Sequence, residues 1–292
     1  MNGLLVIDKP GGITSRDVVN RVQKWFPRKT KIGHTGTLDP LATGVLVVCV
    51  GAATRLAHFV QAMGKSYASR VRLGATSSTD DADGEVAADF SGTPPSRERI
   101  DAALASFVGD IAQVPPAVSA LKVDGRRAHS LARQGVDVAF AARPVRVDAA
   151  RIVGYGWPFL DIEIDCGKGT YIRSIARDLG ATLGCGGMVQ TLRRTRIGPF
   201  DAGQGVGIDA TPESALARLL PMTMAIAGMP EVRFTAEQVA RLRTGQSISP
   251  ASGGSAAVAE DGDVAVLGPA GELVAIGTMT RGVVQPDIVF RL

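Results

Sequence analysis

Cysteine is scarce in this chain: it occurs three times, at Cys49, Cys166 and Cys185, with no CxxC spacing. Neither a zinc site nor a disulfide framework is therefore predicted. Cys49 and Cys166 lie in apolar runs of strand length, which favours reduced packing residues in a cytosolic protein. No apolar run is long enough to span a bilayer, and the first residues indicate a strand rather than a signal peptide. We expect a cytoplasmic protein without a membrane segment.

Two short segments resemble ligand-binding motifs, but both lack required residues. Residues 64–66 read Gly-Lys-Ser, yet Phe59 stands where a phosphate-binding loop requires glycine. The acidic run 80–85 resembles a calcium loop, but Thr79 and Phe90 occupy the positions that require carboxylates. We therefore predict no nucleoside triphosphate or metal site, and we interpret 80–85 as a solvated turn.

The composition describes an ordinary globular protein with a mild basic bias. Hydrophobic residues make up 45% and charged residues 21% of the chain, which is typical of a chain with a packed core. Its 292 residues suit one large domain and one small domain. The net charge of +4 is compatible with a polyanionic partner, although many basic proteins bind no nucleic acid.

Apolar periodicity predicts alternating strands and helices, followed by a small, mostly β region. The predicted strands cover 3–7, 45–50, 67–73, 145–153, 160–166 and 191–196. The predicted helices cover 15–26, with Ser15 as its N-cap, and 56–63, 96–107, 171–183 and 212–220. After a linker at 220–230, we predict a helix at 235–242 and strands at 256–259, 264–267 and 273–279.

A polar loop at 33–44, with the sequence GHTGTLDPLATG, precedes the buried strand 45–50. Its glycines allow sharp turns and close approach of a ligand, and Pro40 restricts the backbone of Asp39. A loop anchored to a core strand is a common way to present a reactive group. From the residues alone, an ordinary turn in which Asp39 caps a backbone amide is an equally good interpretation.

Cationic side chains cluster at two places. Six of them precede or flank the loop, and only Asp17 opposes them, which favours phosphate contacts over a merely solvated helix face. They are Arg16, Arg21, Lys24, Arg28, Lys29 and Lys31. A second basic segment, 119–135, lies between core elements and contains Lys122, Arg126, Arg127, His129 and Arg133. An ordinary surface hairpin is the alternative for that segment.

Arg173 lies in the first turn of the predicted helix 171–183. A cation at this end interacts unfavourably with the helix dipole. We therefore expect a partner carboxylate to hold the Arg173 side chain.

Three strings together resemble one family. The loop at 33–44 resembles the active-site motif of the pseudouridine synthases, in the branch that acts on the T arm of bacterial tRNA. DKPGGITS at 8–15 is similar to the DKPxGxTS element of that family, and KGTYIRS at 168–174 to its KGTYIRS element. The three strings occur in the family's order, and the similarity extends over nearly the whole chain.

The resemblance implies an α+β fold with a mixed, mainly antiparallel sheet and flanking helices. It implies a catalytic domain at 1–220 with a basic, thumb-like insertion at about 117–145. It also implies a small, mostly β RNA-binding domain at 231–292, similar to the PUA domain. No cofactor and no metal are implied.

The resemblance also implies roles for single residues. Asp39 would be the nucleophile, and Arg173 would pair with it through two parallel hydrogen bonds, lowering its pKa. Tyr67 would stack on the flipped uracil, and Tyr171 would line the same pocket. His34 would stack into the opened T loop. Phosphate contacts are expected for the remaining candidates, Lys9, Arg126, Arg127, Arg193 and Arg194.

The implied function is isomerisation of the uridine at position 55 of tRNA, with the T stem-loop as partner and the protein as a monomer. Two alternatives stay open: a guide-RNA-dependent synthase, and a non-catalytic RNA-binding or chaperone protein. The basic insertion and the lack of terminal extensions favour the stand-alone enzyme over the first. The intact set of Asp39, Tyr67 and Arg173 argues against the second.

Overall fold

The computed structural model describes residues 1–119, 140–249 and 261–290, together with the backbone of 122–123 and 126–127. Its helices are α1 (Ser15–Val22), α2 (Ala57–Ala62), α3 (Arg97–Ala105), α4 (Ile172–Leu183), α5 (Pro212–Ala217) and α6 (Ala236–Leu242). The strands up to the middle of the chain are β1 (Gly3–Lys9), β2 (Ile32–His34), β3 (Thr43–Val50), β4 (Lys65–Leu73), β5 (Thr76–Ser77), β6 (Val86–Ala87), β7 (Gly109–Gln113), β8 (Lys122–Val123) and β9 (Arg126–Arg127). The later strands are β10 (Arg143–Gly156), β11 (Phe159–Cys166), β12 (Gly187–Ile197), β13 (Phe200–Asp201), β14 (Glu231–Arg233), β15 (Gly262–Leu267), β16 (Leu273–Thr280) and β17 (Val283–Val289).

Within the described residues, nine strands form the central sheet. Its order is β1-β3-β12-β4-β11-β10-β7, with β2 paired to β3 and β13 paired to β12. The pairings are antiparallel except for a short parallel contact between β12 and β3. In that contact Arg193 lies opposite Thr43, and Arg194 lies opposite Gly44. The predicted α+β class with a mixed, mainly antiparallel sheet is confirmed.

Strand β3 is buried on both faces, as the unbroken apolar run 45–50 predicts. Leu46 and Val48 pack in the same cluster as the apolar side of α1. Val45 and Val47 belong to a second cluster, which also contains apolar side chains of β15, β16 and the C-terminal end. The C-terminal sheet and the second face of β3 therefore contribute to one shared apolar cluster.

Helix α1 is capped by Thr14 rather than by the predicted Ser15. Thr14 Oγ1 accepts a hydrogen bond from Asp17 N (3.1 Å), and Asp17 Oδ2 accepts one from Thr14 N (2.9 Å). Ser15 is buried, and its hydroxyl accepts from Leu38 N (2.9 Å) and donates to Leu38 O (3.2 Å). The Ser15 hydroxyl thus joins α1 to the loop 33–44.

Helix α4 packs directly on the beginning of β12 because two glycines face each other there. A Cβ on Gly180 would overlap the backbone of Gly186 and Gly187, and a Cβ on Gly187 would overlap the Ala176 carbonyl oxygen. The predicted helix 171–183 is observed from Ile172, with Tyr171 as its N-cap. The close contact fixes the C-terminal half of α4 against the beginning of β12.

The C-terminal region contains the four-stranded sheet β14-β15-β16-β17 and helix α6. Two of the predicted strands, 264–267 and 273–279, are observed, whereas β14 and β17 were not predicted. The predicted strand 256–259 lies outside the described residues. The predicted linker 220–230 includes a short 3-10 helix, Met222–Ile226, whose Met222, Ala225 and Ile226 are buried. In the described part of the chain, no helix is long and apolar enough to cross a membrane.

Candidate active site

A pocket of about 530 Å³ opens where the loop 33–44, β4, β12 and the N-terminal end of α4 meet. The structure brings five of the predicted site residues to its wall: Asp39, Tyr67, Tyr171, Arg173 and Arg194. Lys9, His34 and Arg193 do not line it. The side chains of Arg126 and Arg127 lie outside what the structure describes.

Backbone hydrogen bonds fix the loop that presents Asp39. Thr35 N donates to Val47 O (3.0 Å), and Gly12 N donates to Pro40 O (2.8 Å). Gly44 has φ +97°, and a Cβ there would overlap the Arg194 carbonyl oxygen. Only glycine therefore permits the close parallel contact between β3 and β12 beside the pocket.

Arg173 forms an ion pair with Asp39, with 3.0 Å between Nε and Oδ2. The contact is single, not the expected pair of parallel hydrogen bonds. Nη1 instead donates to Thr79 O (2.9 Å), and Nη2 donates to Val118 O (2.9 Å). The Arg173 side chain is 4% exposed, whereas that of Asp39 is 33% exposed. The carboxylate thus faces the pocket from a buried, hydrogen-bonded support.

Asp81 is a second carboxylate on Arg173 and was missed by the sequence analysis. Its Oδ2 lies 3.3 Å from Arg173 Nη1, and its Oδ1 accepts hydrogen bonds from Thr79 Oγ1 (2.6 Å) and Asp83 N (3.1 Å). Asp81 is buried, so the prediction that all of 80–85 is a solvated turn is wrong. Arg173 itself was the available indication of a second partner. A buried guanidinium has five N–H donors, and one carboxylate cannot accept hydrogen bonds from all of them.

Burial raises the pKa of Asp39 above its ordinary value, and the negative charges of Asp81 and Asp83 act in the same direction. Arg173 and, to a lesser extent, Lys9 oppose this rise. The expected net lowering of the Asp39 pKa is therefore not observed, because desolvation outweighs the contribution of Arg173.

Tyr67 and Arg194 form the opposite wall. Tyr67 is 9% exposed, its side chain is hydrogen-bonded to Arg194, and burial raises the pKa of its hydroxyl. Arg194 is buried and donates from Nε to Val45 O (2.8 Å) and from Nη2 to Gly36 O (3.1 Å). The predicted phosphate contact of Arg194 disagrees with this arrangement, because its guanidinium is directed at protein acceptors.

Lys9 is also buried, contrary to the phosphate contact predicted for it. Its ammonium donates to the carbonyl oxygens of Pro10 (2.8 Å), Ile13 (2.8 Å) and Pro40 (3.2 Å). Desolvation lowers its pKa to about 8. Lys9 therefore connects the turn after β1 to the backbone beside Asp39.

Arg193 and His34 occupy more accessible positions near the pocket. Arg193 is 39% exposed and forms a bidentate pair with Asp8, with both nitrogen–oxygen distances at 2.9 Å. His34 is half-buried in β2, where its Nδ1 accepts a hydrogen bond from Gly36 N (3.4 Å). Both side chains are therefore partly accessible to solvent.

Two further buried polar residues were not predicted. The Gln113 carboxamide accepts from Tyr171 N (2.8 Å) and donates to Tyr171 O (3.1 Å), so it fixes the backbone of that pocket residue. Lys65 lines the pocket and donates to Gln61 O (2.9 Å) and Met63 O (2.8 Å), and desolvation lowers its pKa to about 8. Gln113 belongs to no recognisable sequence pattern, and Lys65 lies in the Gly-Lys-Ser string that lacks the glycine of a phosphate-binding loop.

The pocket combines a carboxylate with aromatic walls and a cationic surround. Besides Asp39, the charged residues of its wall are Lys65, Lys168, Arg173 and Arg194. Within the described residues, no group of three or more histidine, cysteine, aspartate or glutamate side chains is placed to hold a metal ion. Such a wall can receive a planar, uncharged ring attached to an anionic backbone and present a carboxylate to it.

Two family models match the chain. The model of the TruB family pseudouridylate synthase (N terminal domain) matches residues 24–172. The model of the tRNA pseudouridylate synthase B C-terminal domain matches residues 173–221. Two solved structures resemble the whole chain and cover 99% of it and 85% of their own chains, each with a TM-score of 0.74. They are a Cbf5-Nop10-Gar1 complex, 27% identical, and an H/ACA RNP bound to a substrate RNA containing 2'-deoxyuridine, 24% identical.

Relatives named tRNA pseudouridine synthase B align over almost their full length. The relative from Cereibacter sphaeroides is 44% identical over 100% of this chain and 97% of its own. The one from Ruegeria pomeroyi is 45% identical over 99% and 96%, and the one from Mycobacterium ulcerans 44% over 91% and 89%. The chain therefore belongs to the TruB family of pseudouridylate synthases.

Proposed function

We propose that this protein isomerises uridine to pseudouridine in tRNA, at position 55 of the T loop, with Asp39 as the nucleophile and without a cofactor. The observation that supports the assignment best is the position of Asp39, which lines the same pocket as Tyr67 and Tyr171 and is ion-paired with the buried Arg173. The relatives' shared name supports tRNA as the substrate.

The reaction moves the uracil from a nitrogen linkage to a carbon linkage on the same ribose. The bond between N1 and the sugar breaks, the base turns, and C5 joins the sugar while its proton is lost and N1 gains one. A carboxylate suits this chemistry because it can add covalently and then leave again. The carboxylate of Asp39 can serve by attacking the base or by assisting elimination at the sugar.

The target base must leave the RNA stack before Asp39 can reach it. Tyr67 would stack on the flipped uracil, and Tyr171 would close the other side of the pocket. His34 would stack into the space that the base vacates in the T loop. Each ring is in or beside the pocket, on a strand or at a helix end, so little side-chain freedom is lost on binding.

Arg173 would keep Asp39 ionised and oriented. Burial alone raises the pKa of Asp39, and a protonated carboxyl is a poor nucleophile. The guanidinium opposes this through its ion pair with the carboxylate, while Thr79 and Val118 accept hydrogen bonds from its terminal nitrogens and Asp81 forms a second ion pair. We assign Lys9 and Arg194 to the internal support of the loop and of Tyr67.

RNA contacts outside the pocket are proposed for Arg193 and for Arg126 and Arg127 of the insertion at about 117–145. We assign 1–220 to the catalytic domain and 231–292 to a PUA-like domain that binds RNA remote from the target. The protein would act in the cytoplasm as a monomer.

Two other functions fit parts of the observations. The resemblance to chains of an H/ACA RNP and of a Cbf5-Nop10-Gar1 complex supports a shared fold, whereas the relatives at 44–45% identity are named for tRNA, which favours the stand-alone enzyme over a guide-RNA-dependent one. A non-catalytic RNA chaperone would have no need for a carboxylate held on a buried arginine.

One assay separates the three functions. Purified protein is incubated with an unmodified T stem-loop RNA alone, and pseudouridine is detected by carbodiimide labelling. Conversion at a single uridine is the expected result. Binding without conversion would indicate a chaperone, and conversion only after addition of a guide RNA would indicate the guide-dependent class.

The basic insertion is tested by the salt dependence of binding. If Arg126 and Arg127 each contact one phosphate, replacing both with glutamine should flatten the slope of log affinity against log salt by about 1.4 to 1.8. An unchanged slope, measured on the same stem-loop, would show that both arginines merely face solvent.

A further inference from the structure

Arg177 lies one turn after Arg173 on the same face of α4 but does not line the pocket. Its Nη1 is 2.9 Å from Asp80 Oδ2, and its Nε is 2.8 Å from Asp178 Oδ1. Nη2 donates to Val114 O (2.8 Å). Every guanidinium nitrogen of Arg177 is thus engaged by the protein.

Asp80, the main partner of Arg177, has an uncommon backbone conformation. Its φ is +61°, in the left-handed region that a non-glycine residue rarely adopts. The carbonyl oxygen of Asp80 accepts a hydrogen bond from Val189 N (3.0 Å), which joins the turn to β12. Its carboxylate is 16% exposed, and Arg177 is the ion-pair partner that holds it.

The residues on either side of Asp80 both bind Arg173. The carbonyl oxygen of Thr79 accepts from Nη1 (2.9 Å), and the carboxylate of Asp81 is 3.3 Å from the same nitrogen. The direction of both groups depends on the backbone angles of the residue between them. A continuous series of contacts therefore leads from Arg177 through the turn at Asp80 to Arg173 and Asp39.

We propose that Arg177 is a positioning residue for the isomerisation: by holding Asp80 in its left-handed conformation, it keeps Thr79 and Asp81 on Arg173, and so keeps Arg173 on Asp39. The inference rests on the proposed function of Asp39. Without Arg177 the turn keeps its backbone hydrogen bond to Val189 but loses its side-chain anchor, and the two acceptors that it presents to Arg173 are held less firmly. Arg173, once less firmly held, opposes the effect of burial on the Asp39 pKa less strongly. Of the other groups around Asp39, Lys9 also lowers this pKa, whereas Asp81 and Asp83 raise it.

The test compares single-turnover rates at saturating T stem-loop RNA between pH 5 and pH 9. Arg177→Gln should slow the reaction about tenfold at pH 7 while changing RNA affinity less than about twofold. Because Asp39 then ionises less readily, the acid limb of the rate should move to higher pH. The loss at pH 6 should accordingly exceed the loss at pH 8.

Two further variants separate positioning from general destabilisation. Asp80→Asn keeps a side chain that tolerates the left-handed conformation and removes only the charge. Combined with Arg177→Gln, it should slow the reaction no more than the slower single variant, because both changes break one contact. The matched control is Arg97→Gln, which breaks the exposed pair of Arg97 and Asp101 on α3 (3.0 Å) and should leave the rate and its pH dependence unchanged.

The inference is overturned by a folded Arg177→Gln protein with the wild-type rate and acid limb, or by a rate loss that is equal at all pH values. Should Arg177→Gln fail to fold, the same criteria apply to Asp80→Asn. The proposed function fails separately: it is contradicted if the wild-type protein forms no pseudouridine, or if Asp39→Asn retains turnover. Loss of turnover in Asp39→Asn beside an unaffected Arg177→Gln contradicts only the role of Arg177.

Discussion

The pocket and the C-terminal sheet are both well packed, but they are stabilised by different interactions. Around the pocket, charged side chains are buried and each is hydrogen-bonded or ion-paired: Lys9, Lys65, Asp81, Arg173 and Arg194. In the described part of the C-terminal sheet, at 231–249 and 261–290, the buried side chains are apolar. Burying charge costs free energy unless every donor and acceptor is satisfied. The pocket therefore accepts a cost in stability that the C-terminal sheet avoids, as expected of a reactive site.

The two regions are connected through β3. Val45 and Val47 belong to the apolar cluster that also contains side chains of the C-terminal sheet, while the first residues of the same strand, Thr43 and Gly44, pair with Arg193 and Arg194 of β12 beside the pocket. Changes in either region can therefore lower the stability of the whole protein. Only changes in the pocket should alter the chemical step, and the following predictions test that difference.

The largest effect is expected for Asp39→Asn, which keeps the size of the side chain and removes its charge. If Asp39 is the nucleophile, the single-turnover rate should fall on the order of ten-thousandfold or more, with RNA affinity and thermal stability nearly unchanged. Measurable multiple turnover by purified Asp39→Asn would contradict the assignment of Asp39 as the nucleophile. Asp101→Asn, a change on α3 outside the pocket wall, is a suitable control for the loss of one carboxylate.

Arg173→Lys should reduce turnover about a hundredfold, which corresponds to about 3 kcal/mol of lost orientation. Lysine keeps the charge but cannot reach Asp39, Thr79 and Val118 at once, as the guanidinium does. Because burial raises the pKa of Asp39 and Arg173 opposes it, the acid limb of the rate should move to higher pH in this variant. A wild-type rate in Arg173→Lys would show that a positive charge alone is sufficient for turnover. A loss of RNA affinity as large as the loss of rate would instead show that Arg173 contacts the RNA.

A smaller effect, on stability rather than chemistry, is expected for Lys9→Met. The change leaves the carbonyl oxygens of Pro10, Ile13 and Pro40 without their buried donor and should cost about 1–3 kcal/mol of unfolding free energy. The pKa of Lys9 falls from 10.5 to about 8 on folding, so the unfolded chain binds more protons between these values. The free energy of unfolding of the wild type therefore rises as the pH increases from about 8 to 10.5. The difference in unfolding free energy between the wild type and Lys9→Met should increase over the same range.

Denaturant unfolding at pH 7.5 and pH 9.5 measures that difference. The salt dependence of RNA binding should be the same for Lys9→Met and the wild type. If the slope of log affinity against log salt were smaller by about one unit in Lys9→Met, Lys9 would be a phosphate contact after all.

The sequence predicts apolar elements of this protein better than its buried charges. The run 45–50 predicts a strand buried on both faces, because a short continuous run of apolar residues is stable only when both of its faces are covered. Asp81 and Lys9 could not be distinguished from surface residues, since each also has a partner far away in the chain: Arg173 for Asp81 and the Pro40 carbonyl oxygen for Lys9. Asp80 and Asp81 are adjacent in an acidic turn, yet they pair with Arg177 and Arg173, more than ninety residues later.

The resemblance to the family predicted which residues share a site, which hydrophobic periodicity could not. It grouped Asp39, Tyr67, Tyr171 and Arg173, which the structure places around one pocket. It did not predict how each is held: the ion pair of Arg173 Nε with Asp39, or the carboxamide of Gln113 on the Tyr171 backbone. Such contacts follow from the packing of α4 against β12, which no local pattern encodes.

The smallest and sharpest test removes one methyl group from each region. Ile175 lies buried in the first turn of α4, and Ile276 lies buried in β16 against the cluster shared with β3. Ile175→Val and Ile276→Val should each lower the unfolding free energy by about 1 kcal/mol. Because Ile175 N donates to Tyr171 O (3.2 Å) and its side chain supports the turn that carries Arg173, only Ile175→Val should also slow the chemical step, by about threefold. Equal single-turnover rates for the two variants at matched stability would show that the pocket tolerates small shifts of α4. A slower Ile276→Val would show that the C-terminal sheet influences the geometry of Asp39 through β3.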